Sequence, residues 1–165
     1  MKVSSDTSQI SRREIIELQA SIAHRQGKRV GPRSLIVEVQ AGNQQSYFPF
    51  FFLGWGLNNS LDKERPFYCL PYGIKVQNPA THIKTLASLY VEEIMAVQPN
   101  GPYFLGGACY AGWIAFEIAH QLQAKGYQVA LLILIERSGP NSMYRKFNWF
   151  KNHALKRFNY HIINF

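Results

Sequence analysis

At 165 residues, with 47% hydrophobic and 14% aromatic side chains, the chain has the length of one domain, or of one and a truncated piece, and ample apolar content for a packed core. The net charge of +8 is carried by the two ends: residues 1–33 hold seven Lys/Arg against three Asp/Glu, residues 137–165 six against none, and residues 34–136 five against seven. Such ends suit solvated flanking helices, or docking to an acidic protein, a phosphate-bearing substrate or nucleic acid; the last lacks any RRM, zinc-finger or helix-turn-helix signature.

Residues Ser4–Gln26 read as a separate helix: Ser11 can cap it with Glu14 three residues on, and Ile15, Ile16, Leu18 and Ile22 form a helical stripe. Gln26–Arg33 is a basic linker with Gly and Pro breakers, which sets the start of the main domain near Ser34. Leu35–Gln40 alternates like an edge strand, and Pro49–Leu53 is wholly apolar, as a strand buried on both faces should be. Gly54-Trp55-Gly56 follows, then a polar loop or short helix at Leu57–Arg65 and another strand at Phe67–Pro71. Thr81–Gln98 is a helix with Ile83, Leu86, Tyr90, Ile94 and Val97 on one stripe, stopped by Pro99-Asn100-Gly101-Pro102. Tyr103–Gly107 is a strand, Gly112–Lys125 a helix ended by Gly126, and Val129–Ile135 the most apolar run, a central parallel strand. Ser138–Phe165 is aromatic, basic and helical in pattern.

This alternation of strands and helices predicts an α/β fold with a mostly parallel sheet covered by helices on both faces. Functional groups in such sheets gather at the carboxyl ends of the strands. Gly54-Trp55-Gly56, Cys109 and Glu136 all fall there.

Gly106-Gly107-Ala108-Cys109-Tyr110-Ala111-Gly112, between a strand and a helix, has the layout of a nucleophile elbow, whose usual pattern is G-x-S-x-G. Cys109 stands at the Ser position and Ala111 at the last Gly. The turn demands small neighbours, and the following helix aims its amino end at Cys109, which favours a thiolate and an oxyanion there. Glu136, 27 residues later, is the candidate acid that orients a base; its other reading is a strand-terminal carboxylate paired with Arg137 or the linker. Two amides should hold the oxyanion, that of Tyr110 and one at the end of the Pro49–Leu53 strand, at or near Phe52; the plain alternative for Gly54 and Gly56 is a glycine turn. No histidine is marked out as the base. His153 and His161 follow Glu136 but sit in the basic aromatic segment, while His24, His82 and His120 lie on predicted helices.

The two cysteines, Cys69 and Cys109, have neither C-x-x-C nor Cys/His metal spacing, so no metal or cofactor is expected, and Cys69 reads as a small core residue. Met1–Ile10 is polar, without the apolar core of a signal peptide, and no apolar run is long enough to span a bilayer. A cytoplasmic location and no membrane partner are expected.

Residues Gly101–Gly112 resemble the elbow region of thioesterase domains from nonribosomal peptide and polyketide synthases. Tyr90–Ile94, Val97-Gln98-Pro99, Ala115–Ala119, Gln121-Leu122, Lys125-Gly126 and Val129–Ile135 are similar too, and Pro49–Gly56 looks like the strand and oxyanion loop, with Gly54 where many members have His. The likeness covers about residues 34–140. It implies an α/β-hydrolase fold and release or cyclisation of an acyl or peptidyl chain carried on the phosphopantetheine arm of a carrier protein, with Cys109 as nucleophile and Glu136 as acid. Cys and Glu replace the commoner Ser and Asp. With 1–33 as the helix and linker read above, the likeness makes 34–140 the hydrolase core and 141–165 the start of a helical lid, the chain ending before the final strands and the catalytic His. Weak or no activity of the chain alone is then expected. The alternatives are an inactive remnant that binds a carrier protein and a doubly wound domain that binds a small molecule or nucleotide at Gly54–Gly56.

Overall fold

The computed structural model describes residues 27–54, 57–72, 79–136 and 160–164. Its strands are β1 (Lys28–Arg29), β2 (Val37–Gln40), β3 (Phe50–Leu53), β4 (Phe67–Leu70), β5 (Tyr103–Ala108), β6 (Val129–Glu136) and β7 (Tyr160–Asn164). Its helices are α1 (Pro79–Val97) and α2 (Tyr110–Ala124), with a 3-10 turn at Leu57–Ser60. The strands form one sheet in the order β1-β2-β4-β3-β5-β6-β7. β1 and β2 are antiparallel to their neighbours, and β3 to β7 pair in parallel.

The connections explain the layering. β4 to β5 and β5 to β6 step one way along the sheet, whereas β3 to β4 steps back. Right-handed crossovers therefore put α1 and α2 on one face and the 3-10 turn on the other. The packing agrees. Phe51, Leu53, Tyr68, Leu70, Leu105, Leu132 and Leu134 meet Leu86, Tyr90 and Ile94 of α1 and Ile114, Ile118 and Leu122 of α2. On the opposite face Phe50, Phe52, Phe67 and Cys69 form a second cluster, against which Leu57, Leu61, Phe104, Ile133 and Ile135 pack. All four residues of β3 are buried, because both of its faces are covered.

Local chemistry sets the ends of α2. Gly126 adopts φ 87°, and the amides of Gly126 and Tyr127 donate to the carbonyls of Gln123 and Leu122 at 2.9 and 3.0 Å, a Schellman closure. α1 and α2 are joined by Gln121, whose Nε2 donates to the Lys84 carbonyl at 3.2 Å.

Two segments depart from the sequence reading. Lys28–Arg29, placed in the linker, forms an edge strand registered on Glu38 and Val37, and the Val30 amide donates to the Ile36 carbonyl at 3.1 Å. Tyr160–Asn164, placed in the helical lid, is a strand parallel to β6. A five-residue stretch of mixed character, Tyr-His-Ile-Ile-Asn, is too short to carry a period of its own, and pairing with the long β6 decides its state. The expected N-terminal helix at Ser4–Gln26, and residues 141–159 of the expected lid, lie outside the described residues. Among the described residues, no helix is long and apolar enough to cross a membrane.

Candidate active site

The elbow is built from backbone outward. Cys109 has φ 50° and ψ −123°, and is the one non-glycine at positive φ among the described residues. An L-residue meets steric resistance there, in the first central position of a II′-type turn, and such strain gathers at functional sites. Packing holds the turn in place. The Cys109 amide donates to the Ile135 carbonyl at 2.8 Å, and the Gly112 amide donates to the Cys109 carbonyl at 3.0 Å. Gly107 has no room for a side chain: a Cβ there would lie 2.5 Å from the Ala111 carbonyl oxygen and 2.9 Å from the Gly112 nitrogen. Ala111, at the last position of the pentapeptide, is fully buried.

Cys109 is a partly exposed free thiol at the N-cap of α2, and its side chain makes no capping hydrogen bond. Tyr110 is the first helical residue, so its N–H lies at the positive end of α2 beside the thiol. The Tyr110 phenol is shifted upward by burial, which keeps it neutral. Cys69, by contrast, is wholly buried in β4, as a core residue should be.

Glu136 closes β6. The bond from Cys109 to Ile135 and the register Ala108↔Ile135 bring the end of β6 alongside the elbow. Glu136 is registered with Asn164 of β7. His161 lies opposite Ile133, three residues short of the end of β7, and His120 is an exposed residue of α2 that approaches Glu117 at 3.9 Å. His24 and His153 fall outside the described residues. The structure thus brings Cys109, Tyr110 and the end of β6 together, and places neither His120 nor His161 at the same strand ends.

Phe52 requires a correction. It lies within β3, paired with Cys69 on one side and Gly106 on the other. Its neighbours two residues away, Phe50 and Gly54, donate their amides to Pro66 and Leu70 on the β4 side, at 2.9 and 3.3 Å. Backbone amides alternate in direction along a strand, so the Phe52 N–H also faces β4, away from Cys109. Any amide of this segment that is to serve an oxyanion beside Cys109 lies further along, at the end of β3. Gly54, which begins that loop, adopts φ 127°, a conformation reserved for glycine. Trp55 and Gly56 lie outside the described residues.

Two cavities lie elsewhere. One of about 360 Å³, lined by Tyr47, Phe48, Tyr68 and Gln98, sits near the amino ends of β3 and β5, and one of about 380 Å³ lies between the Val30–Ser34 turn and α1. Among the described residues no three His, Cys, Asp or Glu side chains are grouped to hold a metal.

Residues 56–149 match the thioesterase domain family. Among curated proteins, the chain is 39% identical over 75 residues to the polyketide synthase PksR of Bacillus subtilis (strain 168), covering 44% of this chain and 3% of that one. It is 35% identical over 114 residues to a non-reducing polyketide synthase of Pseudevernia furfuracea, covering 68% and 5%. Among solved structures, a four-domain nonribosomal peptide synthetase bound to AMP and glycine is similar with a TM-score of 0.51 and 28% identity, covering 71% of this chain and 10% of that one. The chain therefore spans only a small part of the multidomain proteins it resembles. The matched family, the β1-β2-β4-β3-β5-β6-β7 sheet and the strained turn at Cys109 agree: this chain belongs to the thioesterase domain family.

Proposed function

We propose that the chain cleaves an acyl thioester by covalent catalysis at Cys109, the acyl or peptidyl group arriving on the phosphopantetheine arm of a carrier protein. The observation that carries this reading is the strained φ of Cys109 at the amino end of α2. A thiol held in that conformation is presented outward from the sheet edge with helix amides behind the reacting carbonyl.

In the proposed reaction the Cys109 sulfur attacks the thioester carbonyl, and the oxyanion is held by the Tyr110 amide and a second amide at the end of β3. Collapse expels the carrier thiol and leaves an acyl group on Sγ. One thioester is exchanged for another, so the proton lost by Cys109 balances the proton gained by the leaving thiol. Water or a nucleophile within the acyl chain then breaks the Cys109 thioester and returns the thiol. Cys in place of the commoner Ser eases the first step, since thiols ionise far more readily than hydroxyls. Glu136 would orient the base that serves the second step.

The test is intact-mass spectrometry after incubation with a short acyl thioester. An acyl adduct on the wild type, absent from Cys109→Ala, is the expected result. A folded wild-type protein with no adduct would overturn the catalytic reading in favour of a carrier-binding module.

A further inference from the structure

Resting on that reading, we propose that the ring of Phe52 is a positioning residue, a spacer that sets the separation between the oxyanion loop and the strand bearing Cys109. The ring is 2% exposed and is wedged between two glycines, Gly54 just past the end of its own strand and Gly106 opposite it on β5. A Cβ on Gly54 would lie 3.2 Å from Phe52 Cε1, and a Cβ on Gly106 would lie 2.9 Å from Cδ2 on the opposite edge of the same ring. Gly54 begins the oxyanion loop, and Gly106 precedes Cys109 by three residues. The absence of a side chain at both places lets one phenyl group touch both backbones.

The ring itself has little freedom. It packs against Phe50 and Phe67 at centroid distances of 6.3 and 6.1 Å, and those two rings stack on each other at 5.7 Å. Gly54 is also anchored through its amide to Leu70. The start of the loop is therefore tied to β4 by a hydrogen bond and to β5 by the ring. Phe50 belongs to the same cluster and borders Gly106, at 3.1 Å from a Cβ there, but does not border Gly54. It is the natural control.

The experiment compares two reactions of Cys109 in the whole chain. Acylation by a short acyl thioester develops an oxyanion; alkylation by iodoacetamide does not. Phe52→Leu should slow acylation roughly 10–100-fold, the scale set by loss or misplacement of one oxyanion donor, while alkylation stays within about twofold. Phe50→Leu, with an equal loss of volume in the same cluster, should leave the ratio of the two rates at the wild-type value. Should Phe52→Leu not fold, Phe52→Met is read in the same way. An unchanged ratio in the Phe52 variant, or an equal fall in Phe50→Leu, overturns the spacer role alone. A wild type that alkylates but never acylates overturns the catalytic reading and the spacer with it.

Discussion

The strain at Cys109 can be measured by asking which small residue the turn prefers. Cys109→Ala and Cys109→Gly both remove the thiol, so loss of Sγ cancels between them. What differs is the Cβ, which Ala keeps at φ 50° and ψ −123°. At an unstrained position Gly is less stable than Ala by about 0.5–1 kcal/mol, because the unfolded chain gains freedom. A strained backbone costs about 1–3 kcal/mol, and glycine relieves most of it. The difference favours Gly by roughly 0–2 kcal/mol, or up to about 8 °C in Tm for a domain of this size. Urea denaturation of the two variants, fitted with a common m value, reads the sign directly. If Cys109→Gly is less stable than Cys109→Ala, as at any relaxed site, the strained-elbow argument is wrong.

Three further outcomes follow from neighbouring geometry. Gly107→Ala should cost at least about 2 kcal/mol, since its Cβ meets only backbone atoms, whereas Gly112→Ala, whose nearest neighbours would be 3.4–3.6 Å away, should stay within about 1 kcal/mol of wild type by the same denaturation assay. Tyr90→Phe removes a buried hydroxyl that donates to the Pro71 carbonyl and should destabilise by about 1–3 kcal/mol, read as a lower midpoint at unchanged m. The Tyr68 phenol is pushed up to about 12 by burial and then by Glu38, so its folded pKa lies above the unfolded value of 10.0. Its stabilising effect is complete below pH 10 and fades as pH rises toward 12; Tyr68→Phe should flatten that decline in urea titrations made across this window.

What could be read from the sequence was whatever a short stretch decides by itself. Phe50–Leu53 is apolar at every position and is a strand covered on both faces. Gly107 and Cys109 announce a tight turn, and Gly126 ends its helix. What could not be read depends on pairing. Lys28–Arg29 has no apolar pattern, and is a strand only because β2 lies beside it. Tyr160–Asn164 is strand rather than lid helix because β6 offers it an edge. Phe52 shows the limit most clearly. Its place near the oxyanion loop is legible from the sequence, but the side to which its amide points depends on the parity of the ladder, set by Phe50 donating to Pro66.

Parity also governs how Cys109 and Glu136, the proposed nucleophile and acid, come level. β5 and β6 begin their pairing with Tyr103 opposite Val129, but the next pair is Phe104 with Leu131. Ala130 is the extra residue of a bulge. From there the register runs evenly to Ala108 opposite Ile135, and the Cys109 amide closes onto the Ile135 carbonyl. Without the bulge, the same start would set Ala108 against Leu134 and leave Glu136 one residue beyond Cys109. A one-residue shift reverses the facing of every later position on a strand. The bulge near the amino end of β6 thus decides, about five residues away, whether Glu136 arrives level with the elbow, and it does so through the same hydrogen bond that holds Cys109 in its strained turn.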